Sequence, residues 1–364
     1  MKKQKTALIT GIGGQDGSYL AELLLSKGTK VRGIVRRSSN HNTDRIYHLM
    51  KKYGEKKYKD SLFYLQYADL TDASSIRSIL DEFQPDEIYN LAAQSHVGVS
   101  FNNPISTFDI NALGSLRILD AIREMKLNCK YYQASSSEMF GSSPPPQNEN
   151  TPFMPQSPYG VSKVAAYNTT RMYRNAYGIF ASNGILFNHE SPRRGINFVT
   201  RKITLGIAKI LIGEEKIITL GNLDAKRDWG FSKEYVEAIW KILQLPNPDD
   251  FVIATEETHS IRDFLREAFL LVGLNYKDFL IISDQYIRPA DVPALLGDST
   301  KARKVLDWRP KVKFKKLIHM MLAADIKIKF EESGIVPVDP QNRNSDDFYI
   351  EKGIELAQKL KKHQ

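Results

Sequence analysis

A short stretch in the middle of this sequence holds side chains whose types and spacing could do acid–base chemistry on a hydroxyl. Tyr159 and Lys163 stand four apart in SPYGVSKVAAY, so on a helix they project from one face. A protonated lysine beside a phenol favours the phenolate, lowering the tyrosine pKa from about 10 toward the working pH. That would make Tyr159 a general base. The same spacing recurs at Tyr47/Lys51 and Tyr53/Lys57, but in and beside the lysine-rich run KKYGEKKYK, where it reads as incidental surface. Tyr159 and Lys163 differ by lying downstream of a serine-rich strand end, Ser135-Ser136-Ser137-Glu138. Ser136 adds a hydroxyl there and Glu138 a carboxylate; the plainer reading of Glu138 is an exposed acid near a strand end.

A second constellation opens the chain. The strand-like run TALIT ends in Gly11-Ile-Gly13-Gly14-Gln15-Asp16-Gly17 and leads into a helix. Glycines at 11, 14 and 17 allow a tight turn, close backbone approach to a pyrophosphate and close helix packing, while the helix start offers free N–H groups. We therefore expect a dinucleotide here, with Gln15 and Asp16 among its neighbours. Roughly 20 residues further on, an NAD-preferring site tends to carry an acid for the ribose 2′-hydroxyl. This chain has Arg36-Arg37-Ser38-Ser39 instead, with no acid before Asp44. Two guanidiniums and two hydroxyls suit a 2′-phosphate, so NADP is the expected cofactor; a solvated loop is the alternative.

Elements must position these groups. Strands are expected at 6–10, 30–35, 62–67, 87–91, 130–135 and 180–187, separated by helices at 17–27, 72–83, 105–126 and 158–177. That alternation indicates an α/β fold, a doubly wound parallel Rossmann sheet. After residue 187 the pattern loosens, returning to helix and strand over 231–256. The expected division is a cofactor-binding domain of 1–187 and 231–256 and a smaller C-terminal substrate-binding lobe of 188–230 and 257–364. The loop 142–151, with three consecutive prolines, is expected at the surface, and the tail beyond about 335 as a docking helix or a loose end.

Bulk properties narrow the classes. The 364 residues, 42% hydrophobic and 26% charged, describe an ordinary globular chain that buries a sizeable core. One cysteine, Cys129, cannot form an internal disulfide and fits a reducing, cytoplasmic setting. No apolar run reaches the roughly 18 residues of a membrane span, and no signal peptide is visible. The net charge of +9 is spread over lysines mixed with acids and apolar residues, so we expect no nucleic-acid partner. Seven scattered histidines without ligand-like spacing argue against a metal.

Together the glycine turn, Ser136, Tyr159 and Lys163 resemble the extended short-chain dehydrogenase/reductase family. The resemblance implies that Ser136 and Tyr159 hold the substrate hydroxyl while Lys163 orients the nicotinamide ribose. Asp69-Leu70 and Leu91-Ala92-Ala93-Gln94-Ser95 match its adenine-side and nicotinamide-side contacts, with Ser95 also near the substrate. Within that family the chain is similar to GDP-mannose 4,6-dehydratases along nearly its whole length, through TGIGGQDGSYLAELLL, GIVRRSS, NLAAQSHV, QASSSEMFG, NGILFNHESPRRG, GNLDAKRDWG and DFVIAT. By this resemblance His189 and Arg194 join the cofactor pocket, and Asn188, Lys202 and Gly221 lie near the nucleotide-sugar. Arg227 faces the diphosphate, Arg288 and Asp291 hold the nucleoside, and the assembly is a homotetramer in which the loop 36–45 reaches a neighbour. Three positions depart from the family's habit: Ser136 where Thr is usual, Ser106 where Tyr is frequent, and Asp291 where Glu is common. Ser136 leaves extra room beside the sugar's C6, which would admit GDP-manno-heptose as well as GDP-mannose.

The implied cycle gives each group a task. Tyr159 takes the 4-hydroxyl proton as hydride leaves C4 for NADP, and Glu138 removes the C5 proton acidified by the new ketone. Water departs from C6 with help from Ser136 and Glu138, hydride returns to C6 and a proton adds back at C5, regenerating the tightly held cofactor. A 4-epimerase or 4-keto reductase of the same superfamily needs no carboxylate at 138, and a non-catalytic NADP-binding regulator needs none of the three; both remain alternatives.

Overall fold

The computed structural model describes residues 4–39, 42–54, 61–286, 288–338, 341 and 344–362. Six strands follow in chain order: β1 (Thr6–Thr10), β2 (Lys30–Val35), β3 (Phe63–Tyr67), β4 (Glu87–Asn90), β5 (Lys130–Ser136) and β6 (Phe180–Leu186). With the edge strand Phe251–Ile253 they form a seven-stranded parallel sheet in the order Phe251–Ile253, β6, β5, β4, β1, β2, β3. The chain winds outward from β1 to β3, then returns to β4 on the other side of β1. The two C-terminal ends diverge at that reversal, which in open α/β sheets is where ligands bind.

Helices cover both faces of the sheet, so its central strands are buried, including polar Asn90 and Gln133 that are held by hydrogen bonds to each other. On one face α1 (Gln15–Ser26) and the helix Ser232–Gln244 bury Leu20, Leu24, Ile239 and Leu243 against Tyr89 and Tyr132. On the other, Ile76, Leu80, Leu119, Ile122 and Tyr173 come from the helices Ala73–Phe83, Gly114–Glu124 and Pro158–Tyr177. Each such side chain, fully buried, contributes roughly 1.5–3 kcal/mol. A separate apolar cluster joins Ile203, Ile207, Trp229, Phe264, Phe269, Leu317, Met321 and Phe330, outside the sheet layers.

The helix Pro158–Tyr177 shows how local sequence sets a boundary. The Ser157 hydroxyl accepts from the Gly160 amide at 3.0 Å, Pro158 occupies the first turn, and Gly178 closes the helix at φ +67°.

Two expectations change, and the choice left open for the tail is settled. The helix expected over 105–126 is three pieces: Pro104–Phe108, a π turn Asp109–Leu113 and Gly114–Glu124. The proline loop is not simply surface, since Gln147 is fully buried. Its amide donates to Leu296 O at 2.8 Å, and Glu149 Oε1 accepts from Val252 N of the edge strand at 2.8 Å. The tail is a docked helix, Asp346–Lys362, lying against Phe314–Glu332, with Tyr349 donating to Glu331 at 2.9 Å. Among the described residues no helix is long and apolar enough to cross a membrane.

Candidate active site

The glycine turn lies at the sheet's reversal point. Gly11 has φ +67°, and a Cβ on it would stand 2.8 Å from Ala92 Cα; a Cβ on Gly17 would meet Gly11 O at 2.4 Å. Backbone packing of this kind between the β1 and β4 loops is what a close-lying pyrophosphate requires, and α1 begins there with Gly14 as its N-cap. The Thr10 hydroxyl accepts from the Leu91 and Ala92 amides, both at 3.0 Å, fixing the start of the segment 91–95. Gln94 is held by Asn111 and Thr107, while Ser95 is exposed. Asp69 caps Thr71, and Leu70 packs under Gly114. Arg36, Arg37, Ser38 and Ser39 are exposed just past β2. The residues present therefore fit a dinucleotide.

Gln15 and Asp16 lie against His189, which is expected in the same cofactor pocket. Both turn toward the strand Asn188–Glu190: Gln15 donates to His189 O at 3.0 Å and accepts from Ser191, and Asp16 meets His189 Nε2 at 2.8 Å and Ser232 at 2.7 Å. Burial alone would raise the Asp16 carboxyl, but the charge and hydrogen bond of His189, with Ser232 and Arg194, pull it down to about 2. Burial likewise opposes charge on His189, yet Asp16 raises its pKa above the usual value. His189 also stacks on Tyr235 at 4.8 Å.

Tyr159 and Lys163 share the buried face of Pro158–Tyr177, with Lys163 Nζ 5.8 Å from the Tyr159 ring centre and donating to Ala134 O at 2.8 Å. The expected lowering of the tyrosine pKa is not what this arrangement gives. Burial pushes Tyr159 up to about 12, with a hydrogen bond to Ser136 pulling the other way and the Glu138 charge adding to the rise. Burial also brings Lys163 down to about 8, which Asp16 only partly offsets. Enclosure penalises both charges more than the pair can return.

Ser136 ends β5, and its hydroxyl accepts from the Glu138 amide at 3.2 Å, starting the 3₁₀ turn Ser137–Met139. A Cβ on Gly160 would stand 2.8 Å from Glu138 O, so the helix start and this turn press together, setting Glu138 beside Tyr159. From the far side comes Arg227, in the short strand Lys226–Arg227, with Nε 3.8 Å from Glu138 Oε1.

Arg227 also donates to Val292 O at 2.7 Å and to Asp291 Oδ1 at 3.1 Å. Asp291 meets Arg288 at 3.5 Å and accepts from Asn222, next to Gly221. The carboxylate expected at the nucleoside is thus occupied in joining two guanidiniums. Among the described residues Asn188 Oδ1 is buried without a hydrogen-bond partner, a polar atom available to a ligand. Lys202 lies over the Tyr286 ring at 3.7 Å, and Arg194 sits 3.0 Å from Glu190 and over Phe198 at 3.7 Å. Arg45, at the end of the loop 36–45, donates within the chain to Arg193 O and Gly13 O.

Several residues escaped sequence reading. Asn111 lies in the π turn and joins Gln94 to Ser162. Asp228, pushed up to about 6 by burial against hydrogen bonds from Thr255, Gly297 and Glu256, ties Arg227's strand to its surroundings. Its place directly after Arg227 was the available signal.

A serine, a tyrosine and a lysine gathered at the carboxyl edge of a doubly wound sheet, below a glycine turn, place the molecule among the extended short-chain dehydrogenases/reductases. Solved structures share that fold: dTDP-glucose 4,6-dehydratase from Bacillus anthracis in complex with NAD (TM-score 0.75, 20% identity, covering 90% of this chain and 98% of that one) and UDP-glucose 4-epimerase from Thermus thermophilus with NAD (0.73, 24%, 88% and 98%). The family model described as GDP-mannose 4,6 dehydratase matches residues 8–321, and the chain belongs to that family. It is 55% identical over 340 residues to GDP-mannose 4,6 dehydratase 2 of Arabidopsis thaliana, covering 92% of this chain and 91% of the relative. It is 50% identical over 354 residues to GDP-mannose 4,6-dehydratase of Vibrio cholerae, covering 89% and 94%.

Proposed function

We propose that the protein is a nucleotide-sugar 4,6-dehydratase that converts a GDP-manno-configured sugar to its GDP-4-keto-6-deoxy product with NADP as its retained cofactor. The observation that carries the reading is Glu138, a buried carboxylate between the Tyr159 helix and Arg227. An epimerase or a reductase has no step for it. Relatives at about half identity bear the same activity in their names, which supports the substrate class.

Gly11, Gly14 and Gly17 would admit the pyrophosphate, Arg36, Arg37, Ser38 and Ser39 the 2′-phosphate, Asp69 and Leu70 the adenine side, and the segment 91–95, His189 and Arg194 the nicotinamide side. When bound, the cofactor accepts hydride from the substrate and returns it. Tyr159 takes the proton of the 4-hydroxyl in its phenolate form, which burial makes the minor one, with Ser136 holding that oxygen. Lys163, drawn toward neutrality by burial, holds its place through Ala134 O. Glu138 removes the C5 proton and, with Ser136, delivers a proton to the departing 6-hydroxyl; a proton then adds back at C5, balancing the one Tyr159 took. Asn188, Lys202, Gly221, Arg227, Arg288 and Asp291 frame the GDP-sugar, the arginines matching its diphosphate.

In this reading the sheet domain, 1–187 and 231–256, carries the cofactor and the remainder the substrate. The protein works in the cytoplasm as a homotetramer. Ser136 leaves both GDP-mannose and GDP-manno-heptose in play. Incubation with each, without added reductant, is followed by mass spectrometry: loss of one water from either is the expected result, and no mass change in protein with bound cofactor overturns the dehydratase.

A further inference from the structure

The loop after the strand Asn188–Glu190 has its backbone gripped by arginines from two sides. Arg201, on the helix Val199–Leu211, donates through Nη1 to the carbonyls of Pro192 and, at 3.0 Å, Arg194. The carbonyl between them, of Arg193, accepts from Arg45 Nε at 2.8 Å, and Arg45 Nη1 reaches Gly13 O of the glycine turn at 3.3 Å. Successive carbonyls are thus divided between the two guanidiniums, and the side chains in between are aimed apart. Arg193 reaches α1, donating to Ser18 at 3.0 Å and to Glu22 and covering the Tyr19 ring. Arg194 turns inward to Glu190 and Phe198, and its charge lowers the pKa of both Tyr159 and Asp16.

Arg201 is itself anchored. Its Nε lies 2.6 and 2.8 Å from the two oxygens of Asp325, and its Nη2 lies 2.6 Å from Oδ1. Asp325 is fully buried on Phe314–Glu332 and accepts from Thr204 at 2.6 Å. A buried ion pair of this kind stabilises little more than well-packed apolar side chains of the same volume would. The proposed chemistry uses neither residue.

We infer that Arg201, held by Asp325 and Thr204, is a positioning residue: it fixes the loop 191–195 so that Arg193 docks on α1 while Arg194 turns inward to Glu190 and Phe198, and cofactor affinity thereby depends on a buried pair in the substrate lobe. This rests on the dinucleotide reading of the glycine turn. Arg201→Lys keeps a positive charge against Asp325, but its single nitrogen cannot reach that carboxylate and both carbonyls together.

The experiment titrates NADP and, separately, GDP into wild type and variant, with thermal unfolding of each. In Arg201→Lys the NADP dissociation constant rises on the order of tenfold, as expected for a lost hydrogen bond to a charged donor. The GDP constant stays within about twofold, and the unfolding midpoint stays near wild type. Thr204→Val, which loosens Asp325 without touching the loop, weakens NADP in the same sense and by less. Folded Arg201→Lys that binds NADP as wild type does, or that loses NADP and GDP equally, overturns the inference. Should Arg201→Lys not fold, Thr204→Val decides: NADP weakened with GDP unchanged supports it, and NADP unchanged overturns it. Wild type that binds no NADP overturns the dinucleotide reading instead.

Discussion

Glu138 Oε1 and Arg227 Nε face each other at 3.8 Å, the carboxylate from the turn after β5 and the guanidinium from the strand Lys226–Arg227, each with a side chain less than a tenth exposed. The separation is longer than a hydrogen bond, so the carboxylate is oriented by the cation without being captured by it. A group meant to take and return a proton needs that freedom.

Glu138→Gln keeps the shape and removes the base. We expect hydride transfer from substrate to bound NADP to continue, visible as NADPH absorbance, while dehydration falls by about 10²–10⁴-fold. Full turnover, seen as one water lost by mass spectrometry, would remove Glu138 from the mechanism.

Arg36→Ala with Arg37→Ala tests the cofactor phosphate. Both side chains are exposed past β2. NADP affinity should fall about 10- to 100-fold, since each charge-assisted contact is strong, while NAD affinity stays put. Equal losses for the two dinucleotides in a titration would point to a structural effect.

The Asp16–His189 contact predicts how stability responds to acid. Asp16 is held at about 2 against an ordinary 3.8. Because the folded value lies below the unfolded one, its stabilisation is complete above pH ~4 and is lost as pH falls toward 2. With its side chain 24% exposed, the contribution is about 1–2 kcal/mol. Thermal unfolding between pH 5 and 2 should therefore fall less steeply in Asp16→Asn than in wild type; parallel curves would contradict it.

Gly17→Ala is expected to be costly. Its Cβ would lie 2.4 Å from Gly11 O and 2.6 Å from Ile12 Cα, both backbone, so the turn itself must move. A loss of about 2 kcal/mol or more in chemical denaturation, with weakened NADP binding, is the expected outcome. A stable variant with normal binding would show that the turn is softer than its packing suggests.

The sheet was legible because each strand is a short apolar run bounded by turn residues, and the glycines at 11, 14 and 17 already marked its switch point. Ser136, Glu138, Tyr159 and Lys163 do meet. Their protonation balance could not be read, because burial, absent from any spacing rule, raises the tyrosine and lowers the lysine. Strands of two or three residues, such as Lys226–Arg227 and Asn188–Glu190, are too short to show a period. Arg201 and Asp325 lie 124 positions apart, and nothing local in either segment announces the other.

The π turn Asp109–Leu113 winds its helical rod one residue wider than its flanks. That makes the segment sensitive to length as well as to composition. Deleting one residue there would let an ordinary α-helix run through, closing the turn that holds Asn111. Asn111 would swing away from Gln94 and Ser162, unfastening the nicotinamide-side loop from the helix that carries Tyr159. A chain of this lineage can exchange side chains along the rod, but it cannot change the count.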